Sequence, residues 1–184
     1  LFDDTSYGRT LGQAGLFYYT AATPGETNGI GFTGYADAPA INTPGGLYER
    51  PLEGEGAVTI SVPLNSTVRY TLDGTDPTAE SPIYNEPIEI RKNTVLRARS
   101  FREGVEASMV VSQTYLISTY HTMPVVCITT DPDHLWNEEN GMFAYGPNVD
   151  INEPTPWFKY ATYGQKNWFG GWVEYYDENG TQQF

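Results

Sequence analysis

Val68, Arg69, Tyr70, Thr71, Leu72, Asp73, Gly74, Thr75, Asp76, Pro77, Thr78 is the stretch on which the reading of this chain turns. Its first half alternates, with Val68, Tyr70 and Leu72 on one face, the period of a strand buried on one side. Its second half cannot continue a strand. Gly74 accepts positive φ, the aspartates bond their own backbone, and Pro77 brings no N–H to a ladder. A strand therefore ends in a structural turn built on Asp73, Gly74, Asp76 and Pro77. Upstream, Val58, Ile60 and Val62 alternate with Thr59 and Ser61 in the same way. Downstream, strands are expected at 87–90, 94–101 and 108–117, separated by Arg91, Lys92, Asn93 and by Arg102, Glu103, Gly104. Short strands at such even spacing suggest a sandwich over residues 57–118.

The composition agrees and sets limits. With 39% hydrophobic residues in 184, the chain can bury a real core. Nineteen glycines, thirteen prolines and fourteen tyrosines against 18% charged residues favour short strands and tight turns over a helical bundle. A net charge of −13 with only ten Lys and Arg argues against a nucleic-acid partner, because phosphate neutralisation needs clustered cations. The single cysteine, Cys127, sits in the apolar run Val125, Val126, Cys127, Ile128, where a small thiol is expected to pack as a hydrophobe. No internal disulfide is possible. No stretch reaches the length of a membrane span, so direct membrane insertion is not expected, and Leu1, Asp3 and Asp4 do not begin a signal peptide. The expectation is a piece of a longer chain whose secretion signal lies upstream.

Two flanking regions differ from the centre. Residues 1–46 hold one aromatic strand candidate, 16–20, then a turn and a stretch without periodicity through Thr43, Pro44, Gly45 and Gly46, which reads as a linker. Residues 119–184 open with a buried strand candidate at 124–129. Asp131 there is placed to cap a short helix with Pro132 at its first position and Gly141 to end it. An aromatic-rich stretch follows, from Trp157 to Tyr176, and Asp177, Glu178, Asn179, Gly180 read as a hairpin turn. Alternation near the end would bury Val173 and Tyr175 on one face and leave Trp172 and Glu174 on the other.

The stretch at Val68 to Thr78, with Ser81, Pro82, Ile83, Tyr84, Pro87, Ile88, then Thr94, Val95, Leu96, Arg97, Ala98, Arg99, Ser100, Phe101 and Ser112, Gln113, Thr114, Tyr115, resembles the chitobiase/β-hexosaminidase C-terminal domain family. The resemblance implies a fibronectin-III-like module without catalytic residues of its own. The fold class expected is mainly β: an immunoglobulin-like antiparallel β-sandwich with flanking irregular and β-rich segments. Ser6, Tyr7, Gly8, Arg9 with Ala22, Thr23, Pro24, Gly25 and Asn28 resemble the last strands of bacterial lamin-tail domains. Pro124, Val125, Val126, Thr129, Thr130, Asp131, Pro132, Leu135, Trp136 and Gly141, and later Trp172, Val173, Glu174, Tyr175, Tyr176, resemble the opening of the spore-coat CotH kinase-like family. Trp168 is followed by Phe169, Gly170 and Gly171, where many members of that family have an acidic-Arg-Pro step. Together these likenesses imply three parts: 1–46, the end of a lamin-tail-like domain plus linker; 47–118, the sandwich; and 119–184, the N-terminal part of a CotH kinase-like domain.

No catalytic constellation accompanies them. Phosphoryl transfer needs a nucleotide cradle and metal-binding carboxylates, and neither a Gly-rich phosphate loop nor a catalytic-loop pattern occurs. No cofactor is expected. Asp73 and Asp76 bracket a glycine but lack the further acidic positions of a calcium loop. Asp131, Asp133, Glu138 and Glu139 form a weak second calcium candidate, with a solvated acidic helix face as the plainer reading. His121 and His134 have no partner at zinc-ligand spacing. The aromatics Trp157, Tyr160, Tyr163, Trp168 and Trp172 are candidate glycan contacts, since rings with polar tips suit wet binding sites; the competing reading is that they fill a core. The expected function is a non-catalytic accessory or spacer module of a secreted or surface-attached bacterial protein. Its partners would be neighbouring modules and a cell-wall or plant polysaccharide or a surface protein. The alternative is the N-terminal portion of an atypical kinase, inactive without downstream residues.

Overall fold

Alternation places the central strand over 94–101 and its neighbours over 67–71 and 111–117, three residues later than expected at the last start, while 87–90 forms isolated bridges at Ile88 and Ile90 rather than a strand, in a computed structural model that describes residues 6–20, 23–119, 121–139, 141–143 and 170–183. Ten strands and one short helix appear among them: β1 (Ser6–Gly8), β2 (Phe17–Tyr19), β3 (Ala40–Ile41), β4 (Gly46–Tyr48), β5 (Ile60–Ser61), β6 (Thr67–Thr71), β7 (Thr94–Phe101), β8 (Val111–Ile117), β9 (Val125–Thr129), α1 (Pro132–Trp136) and β10 (Trp172–Tyr176). The protein is mainly β, and its centre is a sandwich.

One layer is a four-stranded sheet in the order β4-β8-β7-β6. In β7, Leu96 and Ala98 point inward, with Gln113 and Val111 opposite them on β8 and Tyr70 opposite Ala98 on β6. The facing layer is the β3–β5 pair, continued by backbone bridges between Val58 and Ile88 and between Leu52 and Ile90. Between the layers lie Val58, Ile60, Val68, Ile88, Ile90, Leu96, Ala98, Tyr115 and Ile117, all buried. A β1–β2 hairpin sits upstream. Its Tyr7 and Tyr18 rings, then Phe32 and Tyr35, form a chain of ring contacts 4.7, 6.0 and 5.3 Å apart that ends where Tyr35 bridges Glu106 of the sandwich.

Several expectations need correction. The sandwich is not wholly antiparallel, because β4 runs parallel to β8, with Gly46 opposite Tyr115. The stretch between Phe32 and Gly46 is not strandless. Ala40 and Ile41 pair with Ser61 and Ile60, and Ala36 donates to the Glu106 carbonyl at 2.8 Å. Strands of two or three residues are too short to show a period, which is why alternation misses them. Val62 and Leu72 are exposed rather than buried, since β5 ends at Ser61 and β6 at Thr71, one residue before each. Strand β9 is buried on one face only. Among the described residues it pairs with β10 alone, and Val126 and Ile128 are exposed. Cys127, expected to be buried, is half-buried. Helix α1 ends at Trp136, before Gly141, whose N–H donates to the Asn137 carbonyl.

Leu96, on the inward face of β7, is fully buried. Leu96→Ala should cost about 3 kcal/mol in urea unfolding, within the range for a fully buried leucine. Leu72→Ala, at an exposed position past the end of its strand, should stay within about 0.5 kcal/mol.

Candidate functional site

The face of β7 turned away from the core carries Val95, Arg97 and Arg99, an alternation that in most sandwiches would meet water. Here Arg97 is only 8% exposed, and its register partner Ser112 and the neighbouring Thr114 are buried too. Two anchors, one at each side, account for this.

The first anchor is a buried carboxylate. Strand β4 covers the edge of β8 only from Tyr115 onward, which leaves the backbone of Thr114 without a strand partner on that side. Two side chains of β10 take its place. Thr114 donates its N–H to Glu174 Oε1 at 3.0 Å and its hydroxyl to Glu174 Oε2, while the Tyr176 hydroxyl has two acceptors for its one proton, Glu174 Oε1 at 2.8 Å and the Thr114 carbonyl at 3.0 Å. Glu174 and Tyr176 are both fully buried. The expected facing of this strand is therefore inverted: Glu174 and Tyr176 point inward, while Val173 is exposed. The reason is that the surface they meet is polar backbone, which a carboxylate and a phenol satisfy and a valine cannot. Gly45 belongs to the same knot. A Cβ there would lie 2.5 Å from the Tyr176 hydroxyl and 2.8 Å from the Thr114 carbonyl, so only glycine lets the chain pass.

The second anchor is the turn at Asp73. Gly74 adopts φ +87°, Asp73 Oδ1 accepts from the N–H and hydroxyl of Thr75 at 3.1 and 2.6 Å, and Pro77 is fully buried. The Thr75 hydroxyl, then its N–H, hold the Asp73 carboxyl below the usual carboxylate range. Its contribution to stability is therefore present above that range and is lost as pH falls through the lowered value. Arg97 fastens the turn to the sheet, donating from Nη1 to the Gly74 carbonyl at 3.0 Å and pairing with Asp76. Asp76 in turn donates its N–H to Asp131 Oδ2 at 3.4 Å, and Asp131 Oδ1 caps α1 by accepting from the Asp133 N–H at 2.9 Å.

Between the anchors a surface cleft of about 400 Å³ opens. Tyr35, Arg97, Arg99, Met109, His134 and Trp172 form much of its wall. Arg99 donates from Nε to the Ser108 carbonyl at 2.6 Å and lies 4.0 Å from Glu106. The His134 Nδ1 is 2.8 Å from the Thr130 hydroxyl, which also donates to the Gly170 carbonyl.

Of the aromatics marked as glycan candidates, Trp172 is at this cleft, 38% exposed, whereas Trp157, Tyr160, Tyr163 and Trp168 lie outside the described residues. The calcium candidates do not converge. Asp131 is used by the cap and by Asp76, Glu138 and Glu139 are exposed, and among the described residues no group of three or more His, Cys, Asp or Glu side chains comes together. Sequence reasoning missed Arg97 and Glu174, because a lone charge within an alternating strand looks like a solvated side chain.

The clasp also carries a pH signature. Burial pushes the Tyr115 and Tyr176 hydroxyls well above their ordinary value near 10, and for Tyr176 the hydrogen bond to Glu174 adds to it. Burial, then Glu174, raises the thiol of Cys127, which lies opposite Glu174 in the ladder. A tyrosine raised in the folded state ionises first in the unfolded one, so its stabilisation is complete below pH 10 and falls as pH climbs beyond it. The melting temperature should drop above pH 10, and less steeply in Tyr176→Phe. An absorbance titration in which all fourteen tyrosines ionise together near 10 would contradict this.

Residues 58–115 match the family model described as Fn3 associated. No curated protein and no solved structure matches the chain. The match runs from Val58 in the core to Tyr115 beside the clasp; it covers β5, β6, β7 and most of β8, and stops short of β4 and of the β9–β10 pair. It supports a fibronectin-III-like module of the chitobiase C-terminal type over that span, where the chain forms a β-rich sandwich.

Proposed function

We propose that this chain is a non-catalytic accessory part of a secreted or surface-attached multidomain protein, in which the sandwich sets the orientation of the segment that follows it. The observation that carries this reading is the clasp of Glu174 and Tyr176 on Thr114, residues some 60 positions apart in sequence, through the N–H, hydroxyl and carbonyl of Thr114. A flexible spacer needs no such joint. A module that positions its neighbour does, because inter-domain contacts that are small and loose leave relative motion as the default. The motif resemblances supply the neighbours: a lamin-tail-like end before the sandwich and a CotH kinase-like opening after it. Location outside the cell follows from that reading. A second role, contact with a cell-wall or plant polysaccharide or a surface protein, is favoured by Trp172, exposed at the cleft.

Two measurements test the proposal. The sandwich and the β9–β10 pair should unfold together, with one transition seen by both far-ultraviolet and tryptophan signals. Glu174→Ala, which strips Thr114 of its acceptor, should cost about 3 kcal/mol, as expected for hydrogen bonds to a buried charge, and should free β10 to exchange its amides ahead of β7. Independent unfolding of the two parts in the unaltered chain would remove the orienting role. Calorimetry with ATP and magnesium should show no heat of binding; tight binding would favour the kinase-like alternative instead.

A further inference from the structure

We propose that Asn179 is a site of spontaneous covalent modification, losing its side-chain ammonia through a cyclic imide with Gly180, and that the isoaspartyl product unseats the turn after β10 from β4. The sequence holds three Asn-Gly pairs, Asn28–Gly29, Asn140–Gly141 and Asn179–Gly180. In such a pair the backbone nitrogen after the asparagine is least shielded, because glycine has no side chain and turns freely about φ. The two pairs whose asparagine lies among the described residues differ in how the amide is held. Asn28 Nδ2 donates to the Arg9 carbonyl at 2.9 Å, and Asn28 Oδ1 accepts from the Thr23 hydroxyl at 3.0 Å. Asn179 is exposed, and among the described residues only its backbone N–H is tied, to Asp177 Oδ1 at 2.9 Å, which leaves the amide free to turn back on its own chain. The Gly180 nitrogen, at φ +78°, is restrained by one bond, from its N–H to the Asp177 carbonyl at 2.9 Å. Opening of an exposed turn is far faster than loss of an amide, so the rate follows the open fraction.

Water is the only co-reactant the step needs. The Gly180 nitrogen forms a bond to Asn179 Cγ, the Cγ–Nδ2 bond breaks, and the proton shed by Gly180 leaves with the amide as ammonia. Water then opens the imide at either carbonyl. Opening at Cγ leaves aspartate; opening at the backbone carbonyl leaves isoaspartate, whose main chain runs through Cβ and Cγ and is one carbon longer. The turn has no room for that carbon. A Cβ on Gly180 would lie 2.9 Å from the Leu47 Cβ, and one on Gly46 would lie 3.0 Å from the Gly180 carbonyl oxygen, so turn and β4 meet closely. The contact adjoins Gly45, which packs on the Tyr176 hydroxyl of the clasp. Asp177 Oδ1 also accepts from the N–H groups of both Asn179 and Thr181 at 2.9 Å, and lengthening the chain between those two residues pulls apart bonds that one oxygen holds.

The test ages the full chain in mildly alkaline buffer and follows it by mass spectrometry, with fragmentation that places each change on its residue. Asn179 should gain one dalton, ammonia exchanged for water, and part of the product should be isoaspartate. Asn28 has to break two side-chain bonds where the Asn179 pair breaks one backbone bond, so Asn179 should convert about fivefold faster, the worth of one net hydrogen bond. In the aged chain the amides of β10 should exchange faster than in the fresh one. Aged Asn179→Gln, whose imide ring would be one carbon larger, should keep the fresh rate. Asn179→Asp carries the new charge without the extra backbone carbon and should also exchange like the fresh chain. No conversion at Asn179, or conversion no faster than at Asn28, overturns the site. Conversion that leaves β10 exchange unchanged overturns the unseating, as does an equal rise in Asn179→Asp or in aged Asn179→Gln.

Discussion

A carboxylate taken out of water has to be given enough donors to replace the water it loses, and Glu174 is given the N–H and hydroxyl of Thr114 and a share of the one Tyr176 hydroxyl proton, whose other acceptor is the Thr114 carbonyl. The effective penalty for burying such a charge is several kcal/mol, offset only when geometry and hydrogen bonds are both good. Much of the surrounding structure follows from meeting that demand. Tyr176 has to be buried beside the acid, and β10 has to turn its polar side inward. Gly45 has to be bare, because any side chain there collides with the Tyr176 hydroxyl. The edge of β8 at Thr114, which would otherwise present unpaired backbone to another chain, is closed by side chains instead of by a strand.

Arg97 is the complementary case. It lies on the same face of the sheet, opposite Ser112 and two residues from Thr114 along the neighbouring strand, and it is also buried. Its charge is met by Asp76 and its donor by the Gly74 carbonyl, so the turn that ends β6 is bolted to the middle of β7. Through the Asp76 amide and Asp131 the same chain of contacts reaches the cap of α1. Two charges of opposite sign, one from each side of the joint, thus fix where the segment after the sandwich begins and where it returns.

The centre of the fold was legible in the sequence because its strands are long enough to show a period and its turns use residues with a single mechanism. Strand β7 runs over 94–101 as alternation requires, and the Asp73 to Thr78 turn announces itself by Gly and Pro. What escaped is what alternation cannot express. Strands β3 and β4 have two and three residues, and β4 is parallel, so its position depends on a partner about 70 residues away. The inward turn of Glu174 escaped for a related reason. Hydropathy assigns a carboxylate to water unless its donors are known, and those donors are a backbone group and a threonine in another strand. Of the candidate site, Trp172 was visible as an aromatic, but the pairing of Arg97 and Arg99 with it depends on how β10 docks.

The polarity of this joint bears on what it does. Two apolar faces of similar shape pack in more than one register at similar energy, because dispersion and hydrophobic burial are not directional. The Glu174 clasp tolerates no such shift. Sliding β10 by one residue would turn Glu174 and Tyr176 away from Thr114 and bring Val173 and Tyr175 toward unpaired backbone. Each orphaned donor would then cost about 1–3 kcal/mol, and the carboxylate more. Specificity of register is what a positioning module requires, and a buried charge secures it at some expense in stability. A joint that is satisfied in one arrangement and penalised in its neighbours therefore fits the role of a rigid connector better than that of a flexible spacer.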